Sequence, residues 1–171
     1  MVGEDLGPSL DPGVLLAALV RHGVDFVVIG GVAGLALGSS YPTYDLDVAY
    51  SREAGNMKRL VAALKELDVR LRGAPEDLPF VLEERTIENG SNFTFETPYG
   101  HFDVLAHIDG ISSYEGLRRG SAVQDIDGHP VRVASIDHLI AMKRAANRTK
   151  DKLMLEEYIV LADELALDQS S

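Results

Sequence analysis

Asp45 and Asp47 stand two residues apart in the run YDLDVAY, residues 44–50. The alternation of polar and apolar residues predicts a strand, and strand residues two apart project from the same face. Both carboxylates therefore point together, with Leu46 buried on the opposite face. Adjacent carboxylates repel one another, and taking them out of water costs more still. A divalent cation relieves both problems, and magnesium takes a few carboxylates together with substrate phosphate oxygens. A third carboxylate, Asp103, lies in the apolar sequence Phe102-Asp103-Val104-Leu105. A lone carboxylate among such neighbours needs a partner, which a shared metal would supply. Three carboxylates on two adjacent strands can hold a pair of ions that activates an attacking hydroxyl and stabilises a pyrophosphate leaving group.

Upstream, an apolar strand over residues 25–29 ends in Gly30-Gly31, and the small-residue run VAGLALGSS that follows predicts a short helix. Glycine at that junction lets the backbone approach a ligand closely, and the first helical N–H groups point outward, as phosphate binding requires. Singly, each feature has a plainer meaning: a turn, a solvated strand edge, a half-buried carboxylate. Their order along the chain carries the argument.

The elements that must position these residues are legible from periodicity. Helices are predicted over 11–22, capped by Asp11 with Pro12 in its first turn, and over 52–67, with Met57, Leu60, Val61, Leu64 and Leu67 on one face. Strands are predicted over 80–87, 92–97 and 100–108, with a tight turn at Pro98-Tyr99-Gly100. A hairpin is predicted around Asp127-Gly128. Ser135 caps a helix through Ala146, a second helix runs over 149–165, and the last four residues fray. The pattern is α+β: a core over 1–134 and a helical extension over 135–171, packed as a single compact unit.

Composition is that of a globular chain, with 171 residues, 46% hydrophobic and 25% charged. No apolar run is long enough to span a membrane. The acidic, Gly- and Pro-containing beginning lacks the pattern of a secretory signal. The expected location is the cytoplasm. The absence of cysteine excludes disulfides and thiolate metal sites. A formal net charge of −11 argues against a long nucleic-acid footprint. It suits a nucleotide arriving as its magnesium complex.

The segment from Gly30-Gly31 through Asp45-Leu46-Asp47 to Asp103 resembles the DNA polymerase β-type nucleotidyltransferase superfamily. Its texture is most similar to the minimal AbiEii/MenT-type toxins of bacterial toxin–antitoxin and abortive-infection systems, in the runs GGVAGLALG, TYDLDV and DHLIAMKRAANRTKDKLMLEE. The resemblance implies a nucleotidyltransferase fold, a short mixed β-sheet flanked by helices with a C-terminal helical pair. It implies transfer of NMP from an NTP, dependent on Mg2+ or Mn2+. Asp45, Asp47 and Asp103 would be the metal ligands, and Asp103 would help activate the acceptor. Gly30, Gly31 and Ser39 or Ser40 would contact phosphates. Lys143 and Arg148 would bind the nucleotide, Lys143 as a catalytic cation, with Asp151 orienting them. The acceptor implied is a tRNA 3′ end, and the partner an antitoxin. The chain departs from its relatives at Ser40-Tyr41-Pro42-Thr43, where they often carry an arginine.

Other readings remain open on the residues alone. Asp137, Arg144 and Arg148 are expected to share a helix face, Arg85, Arg118 and Arg119 are candidate acceptor contacts, and His101 is expected to line the cleft. Tyr41, Tyr44 and Phe95 are candidates for base stacking, a core or rim position being the plainer expectation. The rival functions are an enzyme that nucleotidylates a protein or small molecule, and a silent nucleotide-binding module of the same fold.

Overall fold

The computed structural model describes residues 7–170; residues 1–6 and Ser171 of the predicted tails lie outside the described residues. Asp11 caps α1 (Pro12–Arg21) by accepting from the Val14 N–H at 3.3 Å. The buried strand β1 (Phe26–Ile29) runs without a loop into α2 (Gly30–Leu37), which Gly38 closes in a left-handed conformation. There follow β2 (Asp45–Tyr50), α3 (Ala54–Glu66), the two-residue β3 (Arg70–Leu71), α4 (Glu84–Asn89), β4 (Phe93–Thr97) and β5 (Gly100–Leu105). The chain ends with α5 (Tyr114–Gly120), the hairpin β6 (Ala122–Ile126) and β7 (His129–Val133), and the helices α6 (Ile136–Ala146) and α7 (Thr149–Gln169).

All seven strands form one mixed sheet, in the order β3-β4-β5-β2-β1-β7-β6. At its centre β2 lies between β1, antiparallel, and β5, parallel. A parallel pair needs a crossover, which the chain from α3 to β4 supplies. This pairing sets Asp45 opposite His101 and Asp47 opposite Asp103. The intervening side chains Leu46, Val48, Phe102 and Val104 are fully buried, in one core with Leu15, Leu16, Leu60 and Leu64. Each such residue contributes roughly 1.5–3 kcal/mol by leaving water. A one-residue slip of β5 would exchange the carboxylate for an apolar side chain, so the core fixes the site's register.

Four elements differ from the sequence expectations. The predicted strand 80–87 is irregular and then helical. Thr86 and Glu83 form a capping box at the start of α4, and Arg52 donates to the carbonyls of Ile87, Glu88 and Gly90 at its end. That cationic clamp satisfies carbonyls a short helix leaves open. The strand β5 stops at Leu105, because Asn92 takes the N–H groups of Ala106 and His107, both at 2.9 Å. The helix α7 extends past residue 165 to Gln169, and α5 was not anticipated.

Asn147, at φ 50°, ends α6, and Arg148 caps α7. Arg148 thus leaves the α6 face that Asp137 and Arg144 were expected to share with it. At this corner Asp151, fully buried, accepts from Lys143 Nζ at 3.1 Å and from Arg148 Nε at 2.7 Å. Burial raises the Asp151 pKa, but hydrogen bonds from Arg148 and Lys143, with the Lys143 charge, outweigh it and hold the carboxyl at about 2. The depressed value means stability that is present above the ordinary aspartate pKa and lost as pH falls towards 2. Replacing Asp151 with Ala leaves the half-buried Lys143 without its carboxylate, so we expect a loss of about 3 kcal/mol at pH 7. Chemical denaturation of the two proteins should show that gap, and it should narrow below about pH 4 and close as pH approaches 2.

Candidate active site

The glycine pair is the hinge of the site. Gly30 sits at φ +68°, and a Cβ there would collide with the Asp47 carboxylate. A Cβ at Gly31 would stand 2.6 Å from Thr43 Oγ1, which itself donates to the Asp45 carbonyl. The two glycines therefore let the start of α2 lie directly against the strand that carries Asp45 and Asp47. Any side chain would push the helix off the carboxylates.

Asp47 and Asp103 face each other across the β2–β5 ladder. Burial, then the Asp103 charge and a hydrogen bond to Asp103, with a contribution from Asp45, push Asp47 up to about 7; Lys143 opposes the rise. Asp103 is also raised by burial, against the pull of the Arg72 guanidinium, whose Nη2 lies 2.7 Å from Asp103 Oδ1. Asp45 is more open and stands 3.5 Å from His101 Nδ1. In the ligand-free protein these surroundings favour the protonated form of Asp47. Among the described residues, no group of three or more His, Cys, Asp or Glu converges closely enough to hold a metal by itself.

Beside the carboxylates opens a cavity of about 260 Å³. Asp47, His107, Asp109, Lys143, Arg148 and Tyr158 line it together with Gly30, and Leu105 and Met142 are among its apolar residues. Of the residues singled out in the sequence, the fold brings Gly30, Asp47, Lys143 and Arg148 to this cavity. It places Gly31, Asp45, Asp103 and Asp151 one contact away. It does not bring Ser39 and Ser40 there. Ser39 Oγ accepts from the Tyr41 N–H, and Ser40 is bound to Glu157 of α7. Nor do Arg85, Arg118 or Arg119 line it; Arg118 instead pairs with Asp25 at 3.2 Å. Phe95 is fully buried, stacked on Phe93, while Tyr44 is 75% exposed. Arg72 was not legible in the sequence because it lies in a turn just after the two-residue β3, which shows no periodicity. Its alternation with Arg70 was the only available signal.

No protein-family model matches the sequence, and no curated protein matches it. Solved structures do resemble the fold. ANT(2″)-Ia in complex with adenylyl-2″-tobramycin superposes with a TM-score of 0.58 at 20% identity, over 92% of this chain and 89% of that one. The lincosamide antibiotic adenylyltransferase LnuA, lincomycin-bound, gives 0.58 at 12% identity, over 90% and 99%. TM1012 from Thermotoga maritima gives 0.52 at 12%, over 89% and 96%. The chain has the nucleotidyltransferase fold. Within that fold, the helix-on-strand junction at Gly30 and the paired strands β2 and β5 bring the cavity and the carboxylates together.

The raised Asp47 pKa has a stability consequence. A carboxyl whose folded pKa exceeds its unfolded value loses stability as pH rises between the two, here from about 4 to about 7. Asp47→Asn removes that loss. We expect the variant to match the wild type at pH 4 and to exceed it by about 2–4 kcal/mol at pH 8 in metal-free buffer. Thermal unfolding across pH checks this, and a variant less stable than wild type at pH 8 would contradict the repulsion.

Proposed function

We propose that the protein transfers a nucleoside monophosphate from an NTP to a hydroxyl acceptor, with divalent metal. The observation that carries this is the pair Asp47 and Asp103, facing each other across the strands, with Asp47 lining a cavity shared with Gly30, Lys143 and Arg148. The donor set fits a magnesium ion. It offers hard oxygens in a partly desolvated setting, their mutual repulsion is only partly offset by Arg72, and magnesium needs few protein ligands when phosphates complete its shell. Asp45, Asp47 and Asp103 would hold it, and it would supply charge stabilisation at the phosphates. The chain's own residues do the rest. The first N–H groups of α2 and the cations Lys143 and Arg148 bind the triphosphate. The apolar wall receives the base. Asp103, kept oriented by Arg72, accepts the proton of the acceptor hydroxyl.

The acceptor proposed is a small polyhydroxyl molecule. Along the strands beyond the site, Asp45, His101 and Glu96 lie in one cross-strand row. With a chain charge of −11, this face repels a polyanion. The structural neighbours with tobramycin and lincomycin support the same reading. A tRNA 3′ end, with the protein as an antitoxin-restrained toxin of the AbiEii/MenT kind, is the second reading, which rests on the texture of the sequence runs.

Labelled NTPs incubated with magnesium, and either total tRNA or a panel of aminoglycosides, lincosamides and simple polyols, separate the two. Label should pass to a small acceptor with release of pyrophosphate, and Asp47→Ala should lower the rate by at least about 10²-fold. Label on tRNA alone would support the toxin reading. No transfer to any acceptor, despite intact NTP binding, would leave a silent binding module.

A further inference from the structure

One polar group in the cavity has no use in the chain itself. Tyr158, on α7, is among the residues that line the cavity and is only 1% exposed, yet its hydroxyl has no hydrogen-bond partner among the described residues. Buried hydroxyls are nearly always paired, because an unpaired one forfeits its bond to water. The ring packs against α2, where a Cβ on Gly34 would stand 2.5 Å from Tyr158 Oη. Gly34 lies one turn beyond Gly30 on the same helix face. Gly34 is therefore glycine to admit the phenol, and the phenol is held beside the helix start that faces the cavity.

We propose that Tyr158 Oη donates a hydrogen bond to the phosphate chain of the bound nucleotide, which makes Tyr158 a phosphate-binding residue. This rests on the reading of the cavity as an NTP site. The chemistry selects the phosphates. The cations in the cavity lining are Lys143 and Arg148, which stand there with Gly30, His107 and Asp109, and phosphate oxygens are acceptors that lack donors of their own. The wall at Leu105, Leu139 and Met142 offers nothing polar and suits a base. Burial, with the nearby Glu157 charge, pushes the phenol up to about 12, so the hydroxyl keeps its proton throughout the neutral range. The arrangement supplies a neutral donor where the two cations are already engaged by Asp151.

The test compares wild type, Tyr158→Phe and Gly34→Ala for binding of ATP with magnesium, inorganic triphosphate with magnesium, and adenosine, by calorimetry. Thermal unfolding of each ligand-free protein runs alongside. In Tyr158→Phe, ATP and triphosphate should bind about tenfold more weakly, adenosine should bind unchanged, and the melting temperature should hold or rise. Gly34→Ala, which displaces the hydroxyl while keeping it, should weaken the same two ligands. Equal ATP affinity in wild type and Tyr158→Phe would overturn the proposal. So would weakening confined to adenosine, or a melting temperature several degrees lower, which would reveal a structural partner. A wild type that binds none of the three ligands would overturn the NTP reading itself, and this inference with it.

Discussion

Two carboxylates held opposite one another on neighbouring strands repel, and burial deepens the repulsion. Asp47 and Asp103 are in that position because β2 and β5 pair in parallel, and the pairing is enforced from the other face of the sheet by Leu46, Val48, Phe102 and Val104. The hydrophobic register thus positions a polar cluster that would not assemble by itself. In the ligand-free protein the tension is met in two ways. Asp47 holds a proton into the neutral range, and Arg72 bonds Asp103. A proton and a guanidinium are both replaceable by a cation that arrives with a polyphosphate. The cluster therefore keeps unsatisfied charge, which the proposed metal–nucleotide complex would complete.

The rest of the site follows from how closely backbone can come to these carboxylates. Gly30 and Gly31 bring the start of α2 against β2, and Gly34 brings Tyr158 against α2. The α6–α7 corner, locked by Asp151, then sets Lys143 and Arg148 at the cavity from the opposite direction. Glycine spacing along one short helix and one buried ion-pair cluster define the cavity from both sides. That division also explains why Asp151, fully buried, makes no direct use of the cavity: it orders the cations that do.

The local parts of this arrangement were legible in the sequence. The alternation through residues 44–50 gives the strand and the common face of Asp45 and Asp47, and the Asp-Gly hairpin and the Ser135 cap stand where turn chemistry puts them. The non-local parts were not. Arg72 reaches Asp103 from the turn just after the two-residue β3, and Tyr158 meets Gly34 across more than a hundred residues; neither leaves a periodic trace. Residues 80–87 read as a strand because Phe80, Leu82 and Ile87 are apolar. The Glu83–Thr86 box and the Arg52 clamp, a contact distant in sequence, decide for a helix. Ser39 and Ser40 follow the glycine run closely in sequence, but α2 carries them a full helix length away from Gly30, and Ser40 into contact with α7.

The central claim is that Asp47 and Asp103 form an unsatisfied pair that a metal–nucleotide complex completes. Carbonyl-carbon NMR titration of aspartate-labelled protein reads it directly, with and without magnesium and a non-hydrolysable NTP. The account predicts that Asp47 titrates near neutrality in the free protein and that the complex drives its midpoint down by at least about two units, because the cation favours the charged form. A midpoint for Asp47 that stays near neutrality when the nucleotide is bound, or that lies in the ordinary carboxylate range without it, would contradict the account.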